Sequence, residues 1–88
     1  MGIAHEELHV ASLLVLTPPN NVCAVRTAIA SRAGAEIQID DRTGKLVVTL
    51  EAESEADILA HIEQIQAVPG VLSAALVYHE VEIPNSGN

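Results

Sequence analysis

The side chains best able to ligate a metal or work as a nucleophile with its base are His5, His9, His61, His79 and Cys23, set among twelve Asp and Glu. Their spacing argues against both chemistries. Cys23 has no second cysteine two residues away, as a thiol redox or soft-metal site would need, and it reads as an ordinary residue of a helix. His9 and His79 fall in apolar runs that read as neighbouring antiparallel strands, but side-chain alternation sends them to opposite sides of the sheet. Two histidines without a third ligand do not make a zinc site. His5 and His61 read as solvated. No nucleophile stands beside a base, so the expectation is no catalytic residue, no metal, no cofactor and no enzymatic activity.

The elements that carry these residues follow from the pattern of apolar positions. HVASLLVL, residues 9–16, ends in Thr17-Pro18-Pro19-Asn20-Asn21, and a β-rich run closed by prolines and asparagines is a strand followed by a turn. Asn20 or Asn21 can cap a helix over about residues 21–33, in which Val22, Val25 and Ile29 share a face and Gly34 supplies a left-handed stop. AEIQID and KLVVTLE alternate in period two around Asp41-Arg42-Thr43-Gly44, which makes a hairpin. Ser54, followed by Glu55 and Asp57, caps a second helix over about residues 55–66, with Ile58, Ile62 and Ile65 as its stripe. VLSAALVYH, residues 71–79, is a fourth strand.

The order β-α-β-β-α-β predicts an α+β, ferredoxin-like domain: one four-stranded antiparallel sheet with strands one and three central and both helices on one face. Residues 1–88 form a single domain, with an ordered core over about 8–80 and a flexible tail over 81–88. With Tyr78 as the only aromatic, the core must be packed from Leu, Ile, Val and Ala.

Alternation then sorts the strands into two faces. Ala11, Leu13 and Val15, Ile37 and Ile39, Leu46, Val48 and Leu50, and the bulky set Leu72, Leu76 and Tyr78 are assigned to the helices. The uncovered face receives Ser12, Leu14 and Leu16, Val47 and Thr49, and Ser73, Ala75, Val77 and His79. Glu36, Asp40 and Glu51 lie toward its margins. An apolar strip rimmed by carboxylates marks an interaction surface, unless two copies pair sheet to sheet or a tail folds over it.

The net charge of −8 repels phosphate backbones and anionic lipid and steers cationic partners inward. Nucleic acid is not expected, and strands one and three lack the aromatics on which bases stack. No apolar run approaches the ~20 residues of a membrane span. MGIAHEELHV has acids where a secretory signal would carry Lys or Arg, so a cytoplasmic location is expected. The turn after strand one has no Arg-bearing Gly-rich loop of the acylphosphatase kind. A second class, a regulatory domain binding a small molecule at a dimer interface, would want a Gly-rich ligand loop there, and Thr17 to Asn21 contains no glycine.

Ser12 to Val15 (SLLV), Thr43 to Glu53 (TGKLVVTLEAE) and above all Pro69 to Glu80 (PGVLSAALVYHE) resemble the NapD family, whose members end strand one with SL-hydrophobic-V and carry GV-x-x-x-x-LVYH in the last strand. The resemblance runs from His9 to Glu80. It implies a ferredoxin-like monomer or weak homodimer in the cytoplasm, with no enzymatic activity. Such a chaperone binds the twin-arginine signal peptide of the periplasmic nitrate reductase catalytic subunit and delays export until molybdenum cofactor is inserted and folding is complete. Ser12, Leu13 and Leu14 match the family's strand-one motif, and Val77, Tyr78 and His79 its strand-four motif. Carboxylates that can each take two parallel N–H bonds from an arginine are Glu36, Asp40, Glu51 and Glu80.

Overall fold

A computed structural model of the chain describes residues 7–83. Seven of the nine residues that form strand β1, Leu8–Leu16, are apolar, and burial alternates strictly along it, as one covered face and one open face require. Pro18 and Pro19 end it. Proline has no N–H to give to a sheet ladder, and Pro19 instead starts a single 3-10 turn, Pro19–Asn21. This leads into helix α1, Val22–Ala30, whose N-cap residue Asn21 makes no side-chain capping bond. The asparagines therefore mark the turn rather than cap the helix.

Gly34 reverses the chain with a φ of +86°, and its carbonyl accepts from the Glu51 N–H at 2.8 Å. The hairpin follows: β2, Ala35–Asp41, and β3, Lys45–Ala52. Its turn is closed by the Gly44 N–H donating to the Asp41 carbonyl at 2.9 Å and by the Thr43 N–H donating to Asp41 Oδ1 at 2.9 Å. That second bond holds the Asp41 carboxyl below the usual carboxylate range. Helix α2, Glu55–Gln66, has the capping bond that α1 lacks, with Ser54 accepting from the Asp57 N–H. Strand β4, Ser73–Glu82, closes the sheet. It runs three residues past the expected end of the fourth strand, so residues 81–82 of the expected tail belong to the sheet; Ile83 follows outside the strand, and residues 84–88 lie outside the described residues, as does His5.

The sheet order is β2-β3-β1-β4, entirely antiparallel, with both helices on one face. The core lies between: Ala11, Leu13 and Val15 of β1, Leu46, Val48 and Leu50 of β3, and Ala74 of β4, against Val25, Ile29, Ile58 and Ile65 of the helices. Ile37 and Ile62 pack at its border. Fully burying a Leu or Ile in this layer contributes about 1.5–3 kcal/mol.

Both outer strands contain one extra residue, and these two bulges overturn several expected face assignments. In β2, Ile37 is opposite Val48 and Ile39 opposite Val47, so Gln38 is unpaired. Residues directly across an antiparallel pair share a face. Ile39 therefore joins Val47 on the open face, 59% exposed, and Asp40 turns to the helix side, where Arg26 Nε of α1 meets its Oδ2 at 3.2 Å. In β4, Leu76 is opposite Leu13 and Tyr78 opposite Ser12, so Val77 is the extra residue. Tyr78 moves from the expected core to the open face, and His79 moves from the open face to the helix side opposite Ala11. Leu72 precedes the strand and is 70% exposed, while Leu76 lies on the helix side but at the sheet edge, 45% exposed. None of these three bulky residues of strand four is core.

Candidate peptide-binding face

The register of the sheet arranges the open face in transverse rows, each one residue from the central strands β3 and β1 and, where they reach, one from the edges. At the end where β1 begins, Leu8 is beside Glu82. Next, Val10 stands between Glu51 and Glu80. The third row is Glu36, Thr49, Ser12 and Tyr78; the fourth is Ile39, Val47, Leu14 and Ala75; the last is Asp41, Lys45, Leu16 and Ser73. One end of the face is therefore acidic, the fourth row is apolar from edge to edge, and the last row sets Leu16 among Lys45, Asp41 and Ser73.

Polar side chains on this face are tied to one another. Gln38 Nε2 donates to Thr49 Oγ1 at 3.1 Å, and the Thr49 hydroxyl donates to the Glu36 carbonyl at 3.3 Å. The Tyr78 hydroxyl donates to Glu80 Oε1 at 2.6 Å, a short charge-assisted bond. That bond and the negative charge of Glu80 push the phenol above its ordinary value, because losing its proton would set two anions together. Leu14, Leu16 and Val47 are half-buried, while Ile39 and Tyr78 at the two edges are exposed.

Of the residues expected to contact a peptide, Ser12, Leu14, Leu16, Val47, Thr49, Ser73 and Ala75 share this face, and Val77 is 61% exposed at the bulge beside it. Leu13 does not: it is fully buried under the helices, as its alternation with Ser12 and Leu14 requires. His79 is likewise on the other side. Among the candidate arginine partners, Glu36, Glu51 and Glu80 border the face, whereas Asp40 faces α1 and already pairs with Arg26. Ile39, Tyr78 and Glu82 join the face unforeseen, and the bulges that bring the first two there carry no Gly or Pro to announce them.

On the helix side, the two strand histidines meet. His9 Nδ1 and His79 Nε2 are 3.1 Å apart, and Glu7 Oε1 lies 3.1 Å from His9 Nε2. The expectation that they point to opposite sides is corrected by the same bulge at Val77. Among the described residues, no three His, Cys, Asp or Glu side chains converge as metal ligands. His61 also has a partner, receiving an Arg32 guanidinium N–H at 3.4 Å. Among the described residues no helix is long and apolar enough to cross a membrane.

The family model for the NapD protein matches residues 8–83, nearly the whole chain. The chain belongs to the NapD family. It is 33% identical over 79 residues to the chaperone NapD of Escherichia coli K12, which covers 89% of this chain and 91% of that one. The chaperone NapD of Haemophilus influenzae is 32% identical over 78 residues, covering 88% and 84%. The solution structure of the E. coli Tat proofreading chaperone protein NapD superposes with a TM-score of 0.81 at 31% identity, covering 97% of this chain and 88% of that one. A chaperone role and the ferredoxin-like fold follow from these relationships.

Proposed function

We propose that the open sheet face binds the twin-arginine signal peptide of the periplasmic nitrate reductase catalytic subunit precursor. Binding takes place in the cytoplasm and delays export until cofactor insertion and folding are complete, and the chain performs no chemistry of its own. The observation that carries this reading is the row Ile39, Val47, Leu14 and Ala75, which is apolar from edge to edge and lies near a row with Glu51 and Glu80 at its flanks. A signal peptide has the matching halves, guanidinium groups and an apolar stretch. The E. coli relative is a Tat proofreading chaperone, which supports the same partner class.

Calorimetry with a synthetic signal peptide tests it. Binding is expected, weakened on the order of tenfold or more when both arginines become Gln. An affinity unmoved by that change removes the arginine half of the reading, and no binding at all removes the reading.

A further inference from the structure

The two ends of the open face differ in charge, and the difference runs along β1. Glu51, Glu80, Glu82 and Glu36 border the half that begins at Leu8, whereas Lys45 stands beside Leu16 at the far end, with Arg42 in the adjacent hairpin turn. These two are half of the four Lys and Arg in the chain. Asp41, the one carboxylate at that end of the face, is already accepting the Thr43 N–H. A cationic group is therefore drawn to one end and repelled from the other.

Resting on the signal-peptide reading above, we propose that the peptide docks in one direction only, parallel to β1. Its two arginines lie over Val10 between Glu51 and Glu80, and its apolar segment continues over Leu14 and Leu16. Glu51 and Glu80 flank Val10 on the neighbouring strands, so their backbones are two strand spacings apart, about 9–10 Å. Consecutive side chains of a peptide centred on β1 splay to opposite flanks, whether about 100° apart in a helix or about 180° apart in a strand. Each arginine of an adjacent pair thus reaches its own carboxylate, which one isolated arginine cannot do. Tyr78 is in the next row, and its hydroxyl already donates to Glu80. From Val10 to Leu14 is four residues of strand, about 14 Å, equal to about nine residues of helical peptide or four of extended peptide. Charge precedes the apolar stretch in a signal sequence, which sets the direction.

The test uses the full chain, isotopically labelled, with a synthetic signal peptide carrying a nitroxide at one terminus or the other. The N-terminal label should broaden the amide signals of Val10, Glu51 and Glu80 and spare those of Leu16, Lys45 and Ser73; the C-terminal label should do the reverse. A peptide of reversed sequence should bind at least about tenfold more weakly, and Glu51→Gln with Glu80→Gln should cost the forward peptide on the order of tenfold to a hundredfold. Forward binding with the two broadening patterns exchanged, or with both labels broadening both ends equally, overturns the direction while leaving the signal-peptide reading standing. Failure of the forward peptide to bind overturns that reading and the direction together.

Discussion

His79 Nε2 lies 3.1 Å from Nδ1 of His9, a residue only 6% exposed, and Glu7 holds the other nitrogen of the His9 ring. A neutral imidazole has one donor and one acceptor nitrogen. In the neutral ring, Glu7 accepts from Nε2–H, which leaves His9 Nδ1 as the acceptor and His79 as the donor. Removing the donor leaves a nearly buried ring nitrogen without a partner. His79→Ala should therefore cost about 1–3 kcal/mol, read as a lowered thermal midpoint, with peptide affinity unchanged because the pair is on the helix side. A variant that melts like the parent but loses peptide would put His79 at the binding face instead. Elemental analysis of the parent should find no stoichiometric zinc or copper; one metal per chain, lost in His79→Ala, would make the pair a ligand set.

Neighbours in β1 should respond oppositely. Leu13 is fully buried, and Leu13→Ala should cost about 2–5 kcal/mol through lost burial and the cavity left behind. Leu14 is on the open face opposite Val47 and Ala75. Leu14→Glu should melt near the parent while weakening peptide binding on the order of a hundredfold, because the new carboxylate is desolvated beneath an apolar segment. Thermal melts paired with peptide titration separate the two, and Leu14→Glu binding like the parent would take β1 out of the peptide site.

Tyr78 is the only aromatic residue in the chain, so the ultraviolet signal of tyrosinate reports it alone. Its phenol should titrate above the ordinary value near 10, and Glu80→Gln should bring it back down. The sign of the linkage follows: stability from the Tyr78–Glu80 bond is fully present below the unfolded phenol's value and is lost as pH rises through the higher folded one. Equal titration in parent and variant would show the bond absent in solution.

Gly44 has a φ of +109°, and a Cβ there would stand 2.0 Å from the Thr17 carbonyl oxygen. The Gly44 carbonyl also accepts from the Thr17 N–H at 2.8 Å. Gly44→Ala must break this seam between hairpin and β1, and should lower the denaturant midpoint by the equivalent of about 1–3 kcal/mol or more. An unchanged midpoint would mean that the turn rearranges freely.

The element order was legible because each element carries its own signal: the prolines after Leu16, the period-two runs around Gly44, and Ser54 with its acids, which start α2 as expected. The faces of the central strands were legible too, since β1 and β3 pair with each other without interruption and alternation applies throughout. The edge strands were not. Parity counted from Ala75 puts Val77 and His79 outside, and parity counted from Ile37 puts Ile39 inside, but Val77 and Gln38 each add one residue and reverse everything beyond them. Neither is a residue type that marks a bulge, so nothing local in the sequence announces the change of phase. Leu13 is a different case: it falls in a segment that resembles the family, but such a match says which residues recur and not which of them face a partner, and alternation along β1 puts Leu13 under the helices.

Those two bulges also bear on solubility. An apolar sheet face with two free edges invites other chains to extend the sheet, because an outer strand offers a row of unpaired N–H and C=O groups. Here both outer strands are interrupted near their middles, at Gln38 and at Val77. A strand arriving from another molecule would meet a ladder broken in phase partway along, and beside β4 it would also meet Glu80 and Glu82. Copies of this chain are thereby denied a continuous edge on which to polymerise, although one face of the sheet stays open.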